Sequence, residues 1–316
     1  MLSLIRNEWT KIFKRVGTYV MLGLLILIIG VTAAFSKYDD GKTKEMENWK
    51  QELSSQVEAE KQRLEQAPDM NKFIKKDAER RIALNEYRIE NDIAPTVKET
   101  AWTYVETNAN IVLVVGLFAI IVAAGIVAGE FSWGTIKLLL IRPISRTKIL
   151  LSKYITVILY GMSMLLLLFI LSVVLGLLLF GGTDQSTHLA YVDGQVVEQH
   201  IIGYLIKTYL LQTINIVMMA TMAFMISAVF RSSSLAIGIS LFLLFVGGNA
   251  TTLLAMKFDW AKYSLFANTD LTQYTGFTSP LVDSMTMGFS ITMLIIYFII
   301  FQLLAFIVFN KRDVAA

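Results

Sequence analysis

The sequence contains no cysteine. That absence excludes disulfides, thiolate metal sites and cysteine nucleophiles. Its two histidines, His188 and His200, are too few and too far apart for a histidine metal site. Charge is scarce as well: 17% of the 316 residues are Asp, Glu, Lys or Arg, against roughly a quarter in a soluble domain. What fills the chain instead is apolar, with 55% hydrophobic residues and a mean hydropathy of +0.59. Such a chain would expose extensive apolar surface to water, so a bilayer is its expected solvent. The net charge of +3 is small, and the placement of the charges matters more than their sum.

Six apolar runs are placed at 16–35, 110–129, 150–181, 202–230, 235–256 and 288–309. Each holds the ~20 residues that a helix needs to cross about 30 Å of hydrocarbon. The first is about twice the length of a signal-peptide core, so it reads as an uncleaved spanning helix. Before it, 1–15 reads as an amphipathic interfacial helix: Leu2, Ile5, Trp9, Ile12 and Phe13 recur at helical spacing, with Arg6, Lys11, Lys14 and Arg15 mostly elsewhere. Basic residues collect at 1–15, at 130–149, at Arg231 in the turn 231–234, and at Lys311 and Arg312 in the tail 310–316. With six spans, all four sites fall on one side, expected to be the cytoplasm of a bacterial plasma membrane. Both termini are then cytoplasmic.

The remaining segments are expected outside. The charged insertion 36–109 carries two apolar helical stripes, Met46, Trp49, Leu53, Val57 and Leu64, then Phe73, Ala78, Ile82, Ile89 and Ile93. Pro68 separates them and Pro95 ends the second, which predicts a helical hairpin. The segment 182–201 reads as a polar loop with turn chemistry at Asp193–Gly194. The segment 257–287 is aromatic-rich and too interrupted to span, which fits short re-entrant external helices. The expected fold class is an all-α membrane protein of six transmembrane helices with these additions.

Sites for familiar chemistry are missing. "GKT" at 41–43 ends like a phosphate-binding loop, but the required earlier glycine is Ser36. No nucleotide hydrolysis is expected from this chain, and no enzyme activity. The spans carry almost no ionisable residue, which argues against proton coupling. Neutral polar residues do occur there. Gln212, Asn215 and Asn249 are candidates for a translocation path, although interhelical hydrogen bonding is the plainer reading of such residues.

The most informative stretch is "AGEFSWGTIKLLLIRPISRTKILLSK", residues 128–153. Glu130 follows the second run, and a short amphipathic helix can run from Thr135 to a stop near Pro143. A helix rigidly joined to two spans is a mechanical handle: a partner that pushes it moves both. A plain basic loop that only sets topology would not need Gly134, Trp133 and Glu130.

The order Glu130, Gly134, Thr135, Lys137, Pro143, Ser145, Arg146, Lys153 resembles the signature of ABC-2 type transporter permeases, and the six-span layout is similar too. The insertion 36–109 is a departure that only some members share. The resemblance implies a coupling helix that contacts an ATPase through Glu130, Gly134, Thr135, Lys137, Arg142, Pro143 and Arg146, with Glu130 holding it through a basic neighbour such as Arg146. It implies no cofactor in this chain, ATP and Mg being bound by cytosolic ABC ATPase subunits. It also implies a second permease chain, in a homo- or heterodimer, with lipid around it and no nucleic acid partner. The implied function is export of a hydrophobic drug, antibiotic or peptide. The alternative is a membrane sensor or assembly protein that uses the external hairpin and transports nothing.

Overall fold

A computed structural model describes the chain except residues 41–47, 67–71, 96–97, 137–142, 182–186, 193, 231, 277–278 and 312–316, and the side chains at 72–73. It is mostly helical. In chain order the helices are α1 (Leu2–Phe13), α2 (Val16–Asp40), α3 (Trp49–Gln66), α4 (Lys72–Glu90), α5 (Ala101–Asn108), α6 (Val112–Ser132) and α7 (Arg146–Leu179). Strands β1 (Thr187–Val192) and β2 (Gln195–His200) follow, then α8 (Ile201–Val229), α9 (Ser233–Ala255), α10 (Leu265–Asn268) and α11 (Met287–Lys311).

Among the described residues, six helices are long and apolar enough to cross a membrane: α2, the run Ala101–Ser132, α7, α8, α9 and α11. A helix bonds its own backbone, the condition for crossing hydrocarbon. Burial sorts these six. The most apolar windows of Ala101–Ser132 and α8 are 78% and 61% buried, while the other four lie at 28% or below. The buried pair therefore forms the centre. The others turn Leu166, Ile170, Phe242, Ile295 and Leu303 outward, where lipid replaces water as the contact. At the centre, Ala123, Ala124, Ala128, Ala220 and Ala223 are buried, and small side chains allow close helix approach. Ser227 on α8 exploits it, donating to the Ala124 carbonyl at 2.6 Å and accepting from the Ala128 amide at 2.9 Å.

The second crossing starts earlier than the apolar pattern implies. Thr100 caps α5, its Oγ1 accepting from the Thr103 amide at 3.2 Å, and a short 3-10 turn at Ala109–Ile111 passes the chain directly into α6. Polar Asn108 breaks the apolar run, yet it is buried: it accepts from Thr32 at 3.1 Å and donates to Ser172 at 3.0 Å. These bonds tie α2, α5 and α7 together. Gly176 makes the approach of α5 to α7 possible, because a Cβ there would lie 2.9 Å from the Ala101 carbonyl oxygen. Backbone cannot rotate away as a side chain can. Gly176→Ala is therefore expected to cost about 1–3 kcal/mol, read as a lowered melting temperature of the purified protein.

The expectation of an all-α fold is corrected by the antiparallel hairpin β1–β2, whose register pairs Thr187 with His200 and Val192 with Gln195. Gly194, at φ +83°, turns the chain between the strands. Asp193, the other half of the expected turn, lies outside the described residues. A lone hairpin is marginal in water, so this one depends on its neighbours. Ala190 is fully buried, and the Gly276 backbone presses so close that a Cβ would meet Tyr191 at 2.9 Å. Those contacts come from far along the chain, so local polarity alone suggested a loop.

The two insertion helices pack together through buried Leu53 and Val57 on α3 and Ala78 and Ile82 on α4. Met46 and Phe73 of the expected stripes fall on residues or side chains that are not described. The pair is also fastened to the bundle end, by Lys76 to Asp283 at 2.5 Å and by Tyr87, which donates to Glu198 at 3.2 Å. Within 257–287, short turns at Asp259–Tyr263, α10 and Leu271–Tyr274 carry buried polar side chains. These satisfy each other: Asn268 donates to the Lys262 and Ser264 carbonyls and accepts from Ser290, all at 2.7 Å.

Candidate functional site

At the end of the bundle where α1, α6 and α7 meet, four charges form a closed cluster. Lys153, two turns into α7, is buried with its side chain 2% exposed and lies 2.7 Å from Glu8 Oε2 and 2.8 Å from Glu130 Oε1. Lys11 completes it from the rim, 2.9 Å from Glu8 and 3.4 Å from Glu130. Two carboxylates face two ammonium groups, so the cluster is neutral as a whole. A buried charge is tolerated only when paired and hydrogen-bonded, and here each charged group has two partners. Burial alone would lower the Lys11 pKa, but the hydrogen bond and charge of Glu8, with the charge of Glu130, raise it above the usual lysine value.

The local sequence explains why these groups converge. Glu130 is on the last turn of α6, and Gly134 stops that helix at φ +71°, with its amide donating to the Phe131 carbonyl at 3.1 Å. A left-handed terminal glycine is the common helix stop. Any side chain there adopts this conformation at a cost, so Gly134→Val is expected to lose about 1–2 kcal/mol, read by thermal melting, although space around it is open. Just beyond the stop, Thr135 Oγ1 donates a hydrogen bond to Glu130 Oε2. The carboxylate therefore holds Lys153 with one oxygen and the start of the next segment with the other. Trp133, 66% exposed, receives the Arg15 guanidinium over its ring at 5.0 Å, a second tie to the amino-terminal region.

The structure brings together Glu130, Gly134 and Thr135 of the expected coupling residues. Lys137 and Arg142 lie outside the described residues, as does the rest of the expected short helix from 137 to 142. Pro143 precedes the start of α7. Arg146 is not the partner of Glu130, which is a correction: it donates to the Asn310 carbonyl at 3.2 Å and fastens the end of α11 to the start of α7. The cause is distance along α7, because only Lys153 lies deep enough to meet Glu130. Glu8 had no place in the sequence reading. A signal did exist, since it is the sole acid within a basic amphipathic segment, where a carboxylate needs a reason to be.

The polar residues of the spans separate. Gln212 and Asn215 line a cavity of 270 Å³ with Asn110 and Thr269, walled by Leu244 and Phe266. Neither side chain makes a hydrogen bond to another described residue, and both line this space. Asn249 is not among its lining residues. Its amide donates to the Phe245 carbonyl of its own helix at 2.8 Å.

The fold and this cluster define a multi-pass membrane protein with a buried charge clamp at one end. Residues 73–315 match the family described as Protein of unknown function (DUF2705), and the chain belongs to that family. It is 53% identical over 319 residues to the Uncharacterized protein YhcI of Bacillus subtilis (strain 168), with the whole of both chains covered. It is 34% identical over 214 residues to the Uncharacterized membrane protein YdbK of the same organism, covering 67% of this chain and 82% of that protein. The resemblance to ABC-2 type transporter permeases is thereby corrected, since the family shown is DUF2705. The physical reason lies in the motif itself. A glycine stop, cations near headgroups and a proline before the next span are what any short surface link between two crossings requires, so the pattern marks a local architecture and not a lineage.

Proposed function

We propose that this chain is the membrane-embedded subunit of an ATP-driven exporter, working as a dimer and moved by a separate cytosolic ATPase that binds the ATP and Mg. In this reading both termini and the clamp lie at the cytoplasmic face. The observation that supports it is the clamp. Glu130 grips Thr135 on one side and Lys153 on the other, so displacement of the segment after Thr135 would pass to α6, α7 and, through Glu8, α1. A link that only set topology would gain nothing from three buried charges. The cavity at Gln212 and Asn215 supplies polar groups within otherwise apolar helices, which suits a largely hydrophobic cargo such as a drug, antibiotic or peptide.

The test is co-purification after mild extraction from the native membrane. A stoichiometric ATP-hydrolysing protein, lost when residues 135–146 are replaced by a glycine-serine linker, is expected. Its absence in the wild-type preparation would sink the proposal and favour a sensor or assembly role for the docked hairpin α3–α4. Vesicles containing this chain alone are expected to move no substrate. Transport by them would indicate a carrier that needs no nucleotide.

A further inference from the structure

At the opposite end of the bundle from the clamp, a cavity of 320 Å³ opens between α4, α5 and the hairpin. Its lining mixes charge with apolar surface: Arg80, Arg88, Glu106 and His188 line it together with Leu84, Pro95 and Leu189. The arginines are incompletely used. Nε of each is buried without a hydrogen-bond partner among the described residues. Arg80 at least pairs with Asp77, at 3.0 Å, whereas no carboxylate of a described residue pairs with Arg88. Neither does the histidine compete as a cation. His188 stacks on Tyr204 at 3.8 Å, and burial, with the Arg88 charge second, pushes its pKa down to about 4, so it is neutral near pH 7. Glu106 also lines the cavity, 3.7 Å from His188 Nδ1.

A buried guanidinium nitrogen without a partner is costly, and a planar fork of donors is the side chain best matched to a carboxylate or phosphate. We propose that this cavity is a binding site for a small soluble organic anion, a carboxylate or phosphate carried on an apolar body, with Arg88 and Arg80 taking the anionic group and Leu84, Pro95 and Leu189 the body. The volume excludes a large cargo and is of the size that small-molecule sites occupy. The site does not depend on the export reading, because it lies on the insertion end and needs no ATPase.

The full-length protein in phosphatidylcholine nanodiscs is titrated calorimetrically with benzoate and with phenyl phosphate, which separates the two anionic groups, and with inorganic phosphate as the body-less control. Saturable binding of benzoate or phenyl phosphate, at least tenfold tighter than inorganic phosphate, is expected. Arg88→Gln is expected to weaken it at least tenfold, with Arg63→Gln on α3 unchanged and melting near wild type for both. If Arg88→Gln does not fold, Arg88→Lys carries the test, since it keeps the charge, loses the fork and should still bind several-fold more weakly. No saturable binding to the wild type, or equal affinity in the folded Arg88 variant, would overturn the assignment. Probe binding abolished in nanodiscs made with phosphatidylglycerol would place a lipid headgroup in the cavity and overturn it too.

Discussion

Lys153→Met is expected to destabilise the protein by about 3–5 kcal/mol, because it strands two buried carboxylates without their shared cation. Side-chain exposure is 6% for Glu8 and 11% for Glu130, so water cannot take the place of the lost ammonium. Lys11 remains, but from the rim at 41% side-chain exposure and only 3.4 Å from Glu130. The measurement is thermal unfolding of the purified protein in detergent, with membrane insertion checked separately. The same logic predicts a rescue. Adding Glu8→Gln and Glu130→Gln to Lys153→Met removes the stranded charges, and most of the lost stability should return, since neutral replacements of buried ion pairs are often tolerated. A single variant that melts like wild type would show that the cluster is solvated and does not clamp the three helices.

Glu130→Gln is expected to act on function as well as on stability, because buried Lys153 keeps only Glu8 as a carboxylate partner. The substitution keeps the shape and can still accept from Thr135, but it leaves Lys11 and Lys153 facing Glu8 alone. The Thr135 bond then loses its charge assistance, roughly half its strength, and Lys153 meets the amide nitrogen, which cannot accept from it. Under the proposed function, export should fall at least tenfold, equivalent to about 1.4 kcal/mol at the limiting step, while the partner's ATP hydrolysis continues. Glu130→Ala, which also releases Thr135, should abolish export with insertion intact. Ser54→Ala on α3 serves as the control, because its hydroxyl bonds the Lys50 carbonyl of its own helix, and it should export normally. Wild-type export by Glu130→Ala would remove the mechanical role of the clamp.

Several features were legible in the residues alone. The apolar runs marked the six spans, because a helix crossing hydrocarbon must be both long and apolar. Gly134 and Glu130 stood out because a helix stop and an acid are conspicuous between two such runs. That the helical run leading into the second crossing begins at Ala101 was not legible, because Asn108 looks like a surface residue until Thr32 and Ser172 are seen to satisfy it. The hairpin β1–β2 was missed on similar grounds, since its stability comes from Gly276, far along the chain.

The sequence by itself determined the solvent of this protein, its mostly helical character and its approximate crossings. Those follow from transfer of side chains and backbone between water and hydrocarbon, a property that each segment carries on its own. Only the tertiary structure decided that Glu130 meets Lys153 and Glu8 and leaves Arg146 to the end of α11. It also decided that Gln212 and Asn215 share a cavity without Asn249, and that no carboxylate of a described residue pairs with Arg88. Pairing of charges and lining of cavities depend on which helix faces which, to within an ångström or two, and that is settled by packing between segments far apart in the chain.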